Sequence, residues 1–344
     1  MIKTLHPKAP RDLELFAQTE NFALNQAVTA NQRLLLKTAL KGLRSQMESA
    51  ETPLPYFTLP LLVYGAIAKT TAPAEPLAVA CGLLFLGIDI HDDLADGDLP
   101  KHWRGYKKSQ INLAAATLTC SLPQIAISKL KASPDVTAAM QHALAQGLLR
   151  MSAGQERDIA FNGKTKIKTS EIEESVANKS GEELALFARL TALLAGAPPK
   201  TVATYSAMAR AMGTAGQLAS DCHDIFQAKI SHDLANGTRT LPIALYLEKL
   251  DRLPSPKARG TDRQNFLALL KKAQNSRSTQ IKIRRLLMNS GVLRHCAFIV
   301  EIYCQRALSL LKEAQPMEPF GNALISFINS LSYFSKNVKF PEAT

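Results

Sequence analysis

Apolar residues recur at helical spacing along almost the whole chain of 344 residues, and alternating strand-like patterns are nearly absent. Ala and Leu dominate the composition while runs of β-branched residues are rare, which also favours helices. A chain of this length can bury a substantial core in one domain or in two. Because no shift in composition marks a boundary and no repeat is visible, we predict a single all-α domain over residues 1–344, with its core at about 20–335.

Proline, glycine and polar clusters divide this pattern into separate helices. The predicted helical regions are 12–49, 56–70, 77–96, 109–131, 135–160, 170–195, 199–229, 239–250, 262–290, 291–314 and about 319–336. The predicted loops are 97–106, 161–169, 196–199, 230–238 and 251–261. The clearest loop is the one containing Leu253, Pro254, Pro256 and Gly260, since both Pro and Gly interrupt helices.

The formal net charge of +12 suits an anionic partner, which could be nucleic acid, a membrane surface or a small anionic substrate. The Lys and Arg residues are spread along the chain, and the densest runs are Lys164–Lys168 and Lys271–Arg285. Neither run has a recognisable groove-binding pattern around it. We therefore interpret both as solvated faces or loops and predict no nucleic-acid partner.

The five cysteines point to the reducing cytosol, because their number is odd and none forms a C-x-x-C pair. The start of the chain, Met1–His6, lacks the apolar segment of a secretory signal. The most apolar stretches, 54–68 and 77–88, are shorter than the roughly 20 residues that span a bilayer. We predict a cytoplasmic protein with free thiols.

An acidic run at the end of the predicted helix 77–96 requires an explanation. Five aspartates lie within ten residues: Asp89, Asp92, Asp93, Asp96 and Asp98. Carboxylates on the last turn of a helix repel one another and its partial negative charge, so the sequence is unfavourable unless a cation is present. A solvated helix end would be the ordinary explanation for a lone pair. With Asp92 and Asp96 on one face, this larger cluster predicts a site for a hard cation such as Mg²⁺.

A second polar run lies on the predicted helix 199–229, where Gln217, Ser220, Asp221 and Asp224 recur at helical spacing. If this helix faces the first acidic run, several cations could bridge both to a diphosphate and stabilise its departure. Alone, the second run could equally be an ordinary polar helix face. Its value lies in combination with the first.

Taken in order, these motifs resemble those of the trans-polyprenyl diphosphate synthase family, which has the class I isoprenoid synthase fold. The ordered series is His91–Asp96, Trp103–Gly105, Gly154-Gln155 with Asp158, Lys179-Ser180 followed by Leu186-Phe187, Gln217–Asp224, and Asp233–Gly237 with Thr240–Pro242. The series extends over about residues 20–335. The resemblance implies an all-α bundle around a central apolar cavity, and an enzyme that ionises an allylic prenyl diphosphate and releases pyrophosphate.

The resemblance also implies roles for individual residues. Three Mg²⁺ ions would be bound, two of them mainly by Asp92 and Asp96 with support from Asp93, and the third by Asp221 and Asp224, with Ser220 a weaker candidate ligand. The residues that would contact the substrate diphosphate are Arg104, Lys179, Lys229 and Arg239. Gln217 would lie beside the reacting carbocation. Family members are commonly homodimers, which we expect here too.

The sequence departs from the family where chain-elongating members carry a G-G-K-R-x-R-P segment, whose cations hold the diphosphate of isopentenyl diphosphate. The corresponding residues 54–60 read Leu-Pro-Tyr-Phe-Thr-Leu-Pro and contain no cation. Trp103 replaces one of the family's paired arginines, Thr238 replaces a lysine, and Ser220 replaces the first aspartate of the second motif. The allylic site therefore looks more complete than the site for a second diphosphate.

The departures favour a terpene synthase, or cyclase, that acts on one prenyl diphosphate without isopentenyl diphosphate. The alternative is a prenyltransferase, which either elongates chains or transfers the prenyl group to another acceptor. A non-catalytic regulatory subunit is less favoured because the first acidic motif is intact. A prenyl substrate is greasy, so a peripheral membrane contact remains open.

Residues four and five positions before Asp92 would point back along the helix toward the substrate tail. These are Ile88 and Gly87, with Phe85 nearby. Because family members with short products carry bulky aromatics there, Gly87 would leave space for a tail of roughly C15 to C20 or longer.

Overall fold

The computed structural model describes residues 10–49 and 54–332, and this part of the chain contains helices and no strands. The predicted all-α class is therefore confirmed. Three sequence predictions lie outside the described residues: the absence of a signal at Met1–His6, the helix break at Pro53, and the end of the last helix at 333–336.

The helices follow the predicted regions closely. Those of the first half are α1 (Pro10–Gln26), α2 (Ala30–Ser49), α3 (Pro55–Ala68), α4 (Glu75–Asp96), α5 (Lys108–Ala116), α6 (Leu122–Ser128), α7 (Pro134–Phe161) and α8 (Thr169–Val176). Those of the second half are α9 (Glu182–Leu194), α10 (Pro199–Gln227), α11 (His232–Asn236), α12 (Leu241–Asp251), α13 (Pro256–Ala273), α14 (Arg277–Asn289), α15 (Val292–Glu313) and α16 (Phe320–Asn329). Single π-helical turns join α5 to α6 at Thr117–Ser121 and α8 to α9 at Ala177–Gly181.

Three predictions of local structure are wrong, and capping explains each. The predicted loop 230–238 contains α11, which begins after Ser231, whose hydroxyl accepts a hydrogen bond from the Leu234 amide. The predicted loop 251–261 ends early, because Pro256 starts α13 and Gly260 lies inside it. Proline suits the first position of a helix, where its missing N–H is not needed. The predicted helix 262–290 is broken at Ser276, whose hydroxyl accepts a hydrogen bond from the Thr279 amide and caps α14.

The chain folds into two compact units, each built from several separate segments. Among the described residues, the first comprises 10–49, 54–147, 184–206 and 311–325, and the second comprises 148–183, 207–310 and 326–332. The expected single domain over 1–344 stays a prediction.

Helix α4 lies at the centre of the first unit and packs against α1, α2, α3, α5 and α6. Its apolar side chains from Leu77 to Leu84 are buried, with Leu77 and Leu83 fully enclosed. Burial of this many apolar side chains stabilises the unit by the hydrophobic effect and fixes α4 as its core helix. The acidic run is the continuation of this rigid element.

Two helical segments would be long and apolar enough to cross a membrane by length and composition alone, Ala72–Asp96 and Lys108–Ser128. These two segments have 25 and 21 residues, so both are longer than 54–68 and 77–88, the most apolar stretches found in the sequence. In the most apolar window of Ala72–Asp96, 67% of the residues are buried inside the protein. A core helix of a globular protein passes the same test, and the packing of α4 fits that explanation.

All five cysteines lie in the described part of the chain and are free thiols. Cys81, Cys222, Cys296 and Cys304 are buried, and Cys120 is exposed.

Asp12 in α1 provides a test of the first unit by pH. Its side chain is buried, and desolvation raises its pKa from 3.8 to about 6 despite the neighbouring Arg11. Because the folded pKa lies above the unfolded one, ionised Asp12 costs stability at neutral pH, and the cost disappears as pH falls from about 6 to about 4. We expect Asp12→Asn to raise the free energy of unfolding by about 1–3 kcal/mol at pH 7 and by almost nothing near pH 4, measured by urea denaturation. An equal gain at both pH values would contradict this assignment.

Candidate functional site

The acidic run of α4 continues a partly accessible stripe on an otherwise buried helix. Phe85, Ile88, Asp89 and Asp92 recur at three- and four-residue spacing and are half-buried, and Asp96 on the next turn is exposed. The helix ends directly afterwards, because Gly97 adopts φ 77°, a left-handed conformation that favours glycine. The stripe therefore changes from apolar to acidic along one helix face.

The carboxylates of the acidic run on α4 repel one another, and this repulsion raises the pKa of two of them. Burial, together with the charges of its acidic neighbours, raises the pKa of Asp93 from 3.8 to about 7; these neighbours are Asp89, Asp92, Asp96 and Asp98. Asp89 is affected in the same way: burial and the charge of Asp92 raise its pKa to about 6, although Gln46 Nε2 donates to its Oδ2 at 3.0 Å. A bound cation would remove this repulsion.

Mg²⁺ fits the chemistry of the acidic run, because hard cations prefer carboxylate oxygens and retain water or substrate phosphates in their other positions. Within residues 10–49 and 54–332, no group of three or more His, Cys, Asp and Glu side chains forms a ready metal site. Asp92 and Asp96 as ligands of such a cation stay a prediction. The number of ions stays a prediction.

The loop after α4 is anchored by Trp103. This indole is buried, with its ring edge-on to Tyr106, and the Tyr106 hydroxyl forms a 3.0 Å hydrogen bond with Thr38 Oγ1. Arg104 follows and is exposed, and Gly105 at φ 90° makes the turn. Trp103 therefore acts as a core anchor that leaves Arg104 directed to solvent in the same unit as the acidic run.

The premise that Gly87 leaves space for a substrate tail is wrong. A Cβ on Gly87 would lie 2.7 Å from Thr119 Cγ2 and 3.0 Å from the Thr119 backbone nitrogen. Gly87 instead allows α4 to pack closely against the π turn at Thr117–Ser121. Phe85 and Ile88 remain half-buried on the accessible stripe, and Phe85 stacks on Tyr56 with ring centroids 4.3 Å apart. Their role in a tail pocket stays a prediction.

Gly87→Ala is accordingly expected to lower stability. Overpacking against Thr119 outweighs the helix propensity that alanine gains, and we expect a net loss of about 1–2 kcal/mol in urea denaturation. Gly260→Ala is the matched control, because Gly260 is also helical and a Cβ there would meet no atom within 4 Å. It should raise stability by about 0.5–1 kcal/mol. If both variants gained stability, the close packing at Gly87 would be refuted.

The second unit contains a connected polar cluster built from three helices. Lys179 Nζ lies 3.3 Å from Asp158 Oδ2, and the next residue, Ser180, donates its hydroxyl to Gln217 Oε1 at 3.0 Å. Gln217 Nε2 in turn donates to Asp221 Oδ1 at 2.8 Å. The structure therefore brings together five residues of three separate sequence motifs.

Two glycines explain how the π turn carrying Lys179 is held. A Cβ on Gly154 would lie 2.7–2.9 Å from the backbone atoms of Asn178 and Lys179, so only glycine lets α7 approach there. On the other side, a Cβ on Gly181 would lie 2.6 Å from Thr214 Oγ1. π turns are frequent at functional sites, and this one is tightly enclosed.

A buried carboxylate supports the same turn from behind. The side chain of Glu182 is 2% exposed, and its two oxygens accept from Arg150 Nη1 at 3.0 Å and Arg210 Nη1 at 2.7 Å. Arg210 Nη2 also donates to Asn178 Oδ1 at 2.6 Å. Since Asn178 and Glu182 flank Lys179 and Ser180, this network fixes the turn at both ends.

Asp221 is buried in this cluster, and desolvation raises its pKa to about 7 although Gln217 donates to it and Lys179 lies near it.

Asp224 has a different environment. Its carboxylate accepts hydrogen bonds from the Ser231 hydroxyl and from the backbone amides of His232 at 3.0 Å and Asp233 at 3.2 Å. It therefore caps the start of α11. Ser220 is exposed. The metal roles of Asp221, Asp224 and Ser220 stay predictions.

Of the two remaining predicted diphosphate contacts, Lys229 is exposed, in the loop after α10. Arg239 is 7% exposed, and its Nε and Nη1 donate at 2.9 Å to the backbone carbonyls of Lys164 and Gly237. These contacts give Arg239 a structural role and do not support the predicted contact with a diphosphate.

Sequence reasoning missed Gln46, Glu182 and Arg210 as members of these networks. Gln46 lies 43 residues before the aspartate it contacts, and no spacing rule links them. Glu182 stands beside the Lys179-Ser180 motif, so an acidic residue predicted at a buried helix start could have drawn attention to it. Its burial is visible only in the fold.

Comparison with known proteins assigns the family of this chain. The family model for polyprenyl synthetase matches residues 58–282, more than half of the chain. The chain therefore belongs to the polyprenyl synthetase family. This confirms the resemblance that the motifs suggested.

Relatives and solved structures agree with this assignment. The chain is 27% identical over 200 residues to (2E,6E)-farnesyl diphosphate synthase of Mycobacterium bovis, and the match covers 54% of each chain. It is also 27% identical over 200 residues to geranylgeranyl diphosphate synthase of Methanosarcina mazei, and this match covers 55% of this chain and 61% of the relative. The chain thus spans a little over half the length of these curated relatives. The polyprenyl synthase of Caulobacter crescentus has the same fold, with a TM-score of 0.74 at 16% identity over 92% of this chain and 93% of that one.

Proposed function

We propose that this chain is a Mg²⁺-dependent prenyltransferase that ionises an allylic prenyl diphosphate and joins its prenyl group to isopentenyl diphosphate. The observation that carries the proposal is the acidic run on α4, where burial and the repulsion of neighbouring carboxylates raise the pKa of Asp93 to about 7. Family membership and the two curated relatives, both named as prenyl diphosphate synthases, support chain elongation over cyclisation. The Caulobacter crescentus structure is described as a complex with calcium and isoprenyl diphosphate, which suits the same interpretation.

In this proposal Asp92 and Asp96 hold Mg²⁺, with Asp93 supporting them. When bound, the metal neutralises the charge of the departing pyrophosphate. Arg104, exposed after its Trp103 anchor, would bind diphosphate oxygens as a bidentate donor. Lys229 would add a point charge from the loop after α10.

The cluster around Gln217 would act at the allylic carbon. Ser180 and Asp221 fix the orientation of the Gln217 amide, so its dipole needs no reorganisation when positive charge develops. Lys179 is held 3.3 Å from Asp158 and is 20% exposed, which leaves it able to bind a diphosphate oxygen.

A second candidate, the terpene cyclase, is favoured by one observation. Tyr56, Phe57 and Leu59 stand where chain-elongating members carry cations, and all three are at most 1% exposed at the start of α3. A diphosphate cannot be bound by these buried side chains. Elongation would therefore require another cationic surface for isopentenyl diphosphate.

One incubation separates the two candidates. Farnesyl or geranylgeranyl diphosphate is supplied with Mg²⁺, either with or without isopentenyl diphosphate, and products are separated into hexane-soluble and diphosphate fractions. A longer prenyl diphosphate that appears only with isopentenyl diphosphate supports the transferase. A hydrocarbon or alcohol formed without it would overturn the transferase and support the cyclase. No release of pyrophosphate under either condition would refute both candidates for allylic substrates of this length. The homodimer and the cytoplasmic location stay predictions.

A further inference from the structure

The positive charge of the chain is concentrated in one part of the second unit. Residues 249–294 contain twelve Lys and Arg and two Asp, a difference of +10, while the whole chain carries +12. This segment runs from the end of α12 through α13 and α14 to the start of α15, and α13 packs against both α12 and α14. Many of these cations are exposed, among them Lys257, Lys271, Lys282 and Arg285. A solvated helix face would not require such an excess of one sign.

A cleft of about 210 Å³ lies at one corner of this basic segment, between α12 and the junction of α14 and α15. Lys249, Arg252 and His295 line it, and all three are exposed. Glu248 is the carboxylate among its lining residues, and its oxygens already accept from the Thr169 amide and from Arg252. Lys249 is held at the rim by a 2.6 Å hydrogen bond to the Ser290 carbonyl. The cleft therefore presents an excess of positive charge to an anion.

An exposed apolar strip adjoins this cleft on α15. Phe298 is 64% exposed and Ile302 is 61% exposed. They stand three and seven residues after His295, so they continue the helix face that lines the cleft. On α14, Ile281 is 39% exposed beside Lys282. Exposed apolar side chains surrounded by cations are typical of surfaces that meet a lipid interface.

We propose that this basic and apolar face docks on an anionic phospholipid bilayer, with a lipid phosphate in the cleft and with Phe298 and Ile302 inserted among the headgroups. The charge difference of +10 complements the negative surface of such a bilayer. Nucleic acid fits less well, because aliphatic side chains such as Ile302 neither stack on bases nor bind phosphate. The inference is independent of the proposed function, since binding is measured without substrate.

Flotation with lipid vesicles tests this proposal on the full chain. Vesicles contain either phosphatidylcholine alone or phosphatidylcholine with roughly 30% phosphatidylglycerol, at about 0.1 M salt. The protein should float with the anionic vesicles, remain below the neutral ones, and be released by about 1 M salt, which screens the surface charges. Failure to float with anionic vesicles would overturn the proposal, as would equal flotation with neutral ones.

Two double variants locate the contact, each with a matched control. Lys249→Gln/Arg252→Gln should weaken binding about tenfold or more, since each cation near an anionic surface contributes noticeably to partitioning. Lys108→Gln/Lys131→Gln removes two exposed cations from the first unit and should leave binding within about threefold. Phe298→Gln/Ile302→Gln should also weaken binding about tenfold, and Val28→Gln/Leu34→Gln, which changes two other exposed apolar residues, should not.

Urea denaturation shows whether each variant folds. If Phe298→Gln/Ile302→Gln does not fold, Lys249→Gln/Arg252→Gln still tests the proposal. Equal losses in a variant and its control would overturn the assignment to this face. A parallel titration with a short RNA and a short DNA duplex covers the other class of anionic partner. If Lys249→Gln/Arg252→Gln lost nucleic-acid binding while flotation was unchanged, the lipid proposal would be refuted.

Discussion

Asp92→Asn is expected to lower Mg²⁺-dependent release of pyrophosphate from an allylic diphosphate roughly a hundred- to a thousandfold. Asp92 lies on the accessible stripe of α4, one helical turn before Asp96, and the amide that replaces it cannot supply an anionic ligand. The reduction should appear mainly in kcat, since charge on the leaving group is greatest in the transition state. Pyrophosphate release is measured over a range of Mg²⁺ concentrations.

The same variant should be more stable than the natural protein in the absence of metal. The charge of Asp92 raises the pKa of both Asp89 and Asp93, so its removal relieves repulsion on the last turns of α4. Addition of Mg²⁺ with pyrophosphate should raise the melting temperature of the natural protein, because the ligands bind the folded state, and should raise that of the variant much less. Lower activity combined with higher stability is expected of a site residue and not of a structural one.

Asp98→Asn is the matched control for Asp92. Asp98 also belongs to the run and also raises the pKa of Asp93, but it follows the helix end at Gly97 and is exposed. Its activity should stay within about threefold of the natural protein. Equal losses of activity in the two variants would show that net negative charge, and not a ligand at Asp92, is what the site requires.

The fold was largely predictable because helical periodicity is local. The apolar spacing of 77–96 predicted α4 almost to the residue, and its structure begins at Glu75 and ends at Asp96. The errors in helix boundaries arose at residue types that can either interrupt a helix or start one. Pro256 reads as a helix breaker but starts α13, and Ser276 looks like an ordinary polar residue but caps α14. Which meaning applies depends on the packing of the following helix.

The acidic run was predictable for a similar reason, since its members are neighbours on one helix. The polar cluster around Gln217 was only partly predictable from the sequence. Spacing placed Asp221 and Asp224 on one face, but it could not show that Asp224 caps α11 or that Arg239 is bound by backbone carbonyls. Those partners lie on other elements. A charged residue in a family motif can thus hold the fold instead of the substrate.

Gly87 shows the limit of family-based inference most clearly. Position within the family pattern suggested an open tail pocket, because glycine has no side chain to block it. The structure shows a neighbouring π turn in that space, with Thr119 in close contact. An absent side chain leaves room for whatever packs there, and sequence alone does not identify the occupant.

Glu182→Ala is expected to destabilise the second unit by about 2–4 kcal/mol. It removes a carboxylate whose side chain is 2% exposed and leaves Arg150 and Arg210 without it. Both arginines are partly exposed and can turn to water, which keeps the loss below the upper end for a fully buried pair. Urea denaturation gives the loss. Hydrogen exchange at Ala177–Gly181 should speed up as well, since Arg210 also holds Asn178.

Glu174→Ala provides the matched control for this prediction. Glu174 pairs with Arg157 Nη1 at 2.7 Å, the same distance as in the Glu182–Arg210 pair, but the Glu174 side chain is 59% exposed. Its removal should change stability by less than about 1 kcal/mol. Glu182→Gln retains an acceptor for one arginine and should recover part of the loss. If Glu182→Ala were no worse than Glu174→Ala, the turn that carries Lys179 and Ser180 would have to be held by close packing at Gly154 and Gly181 alone.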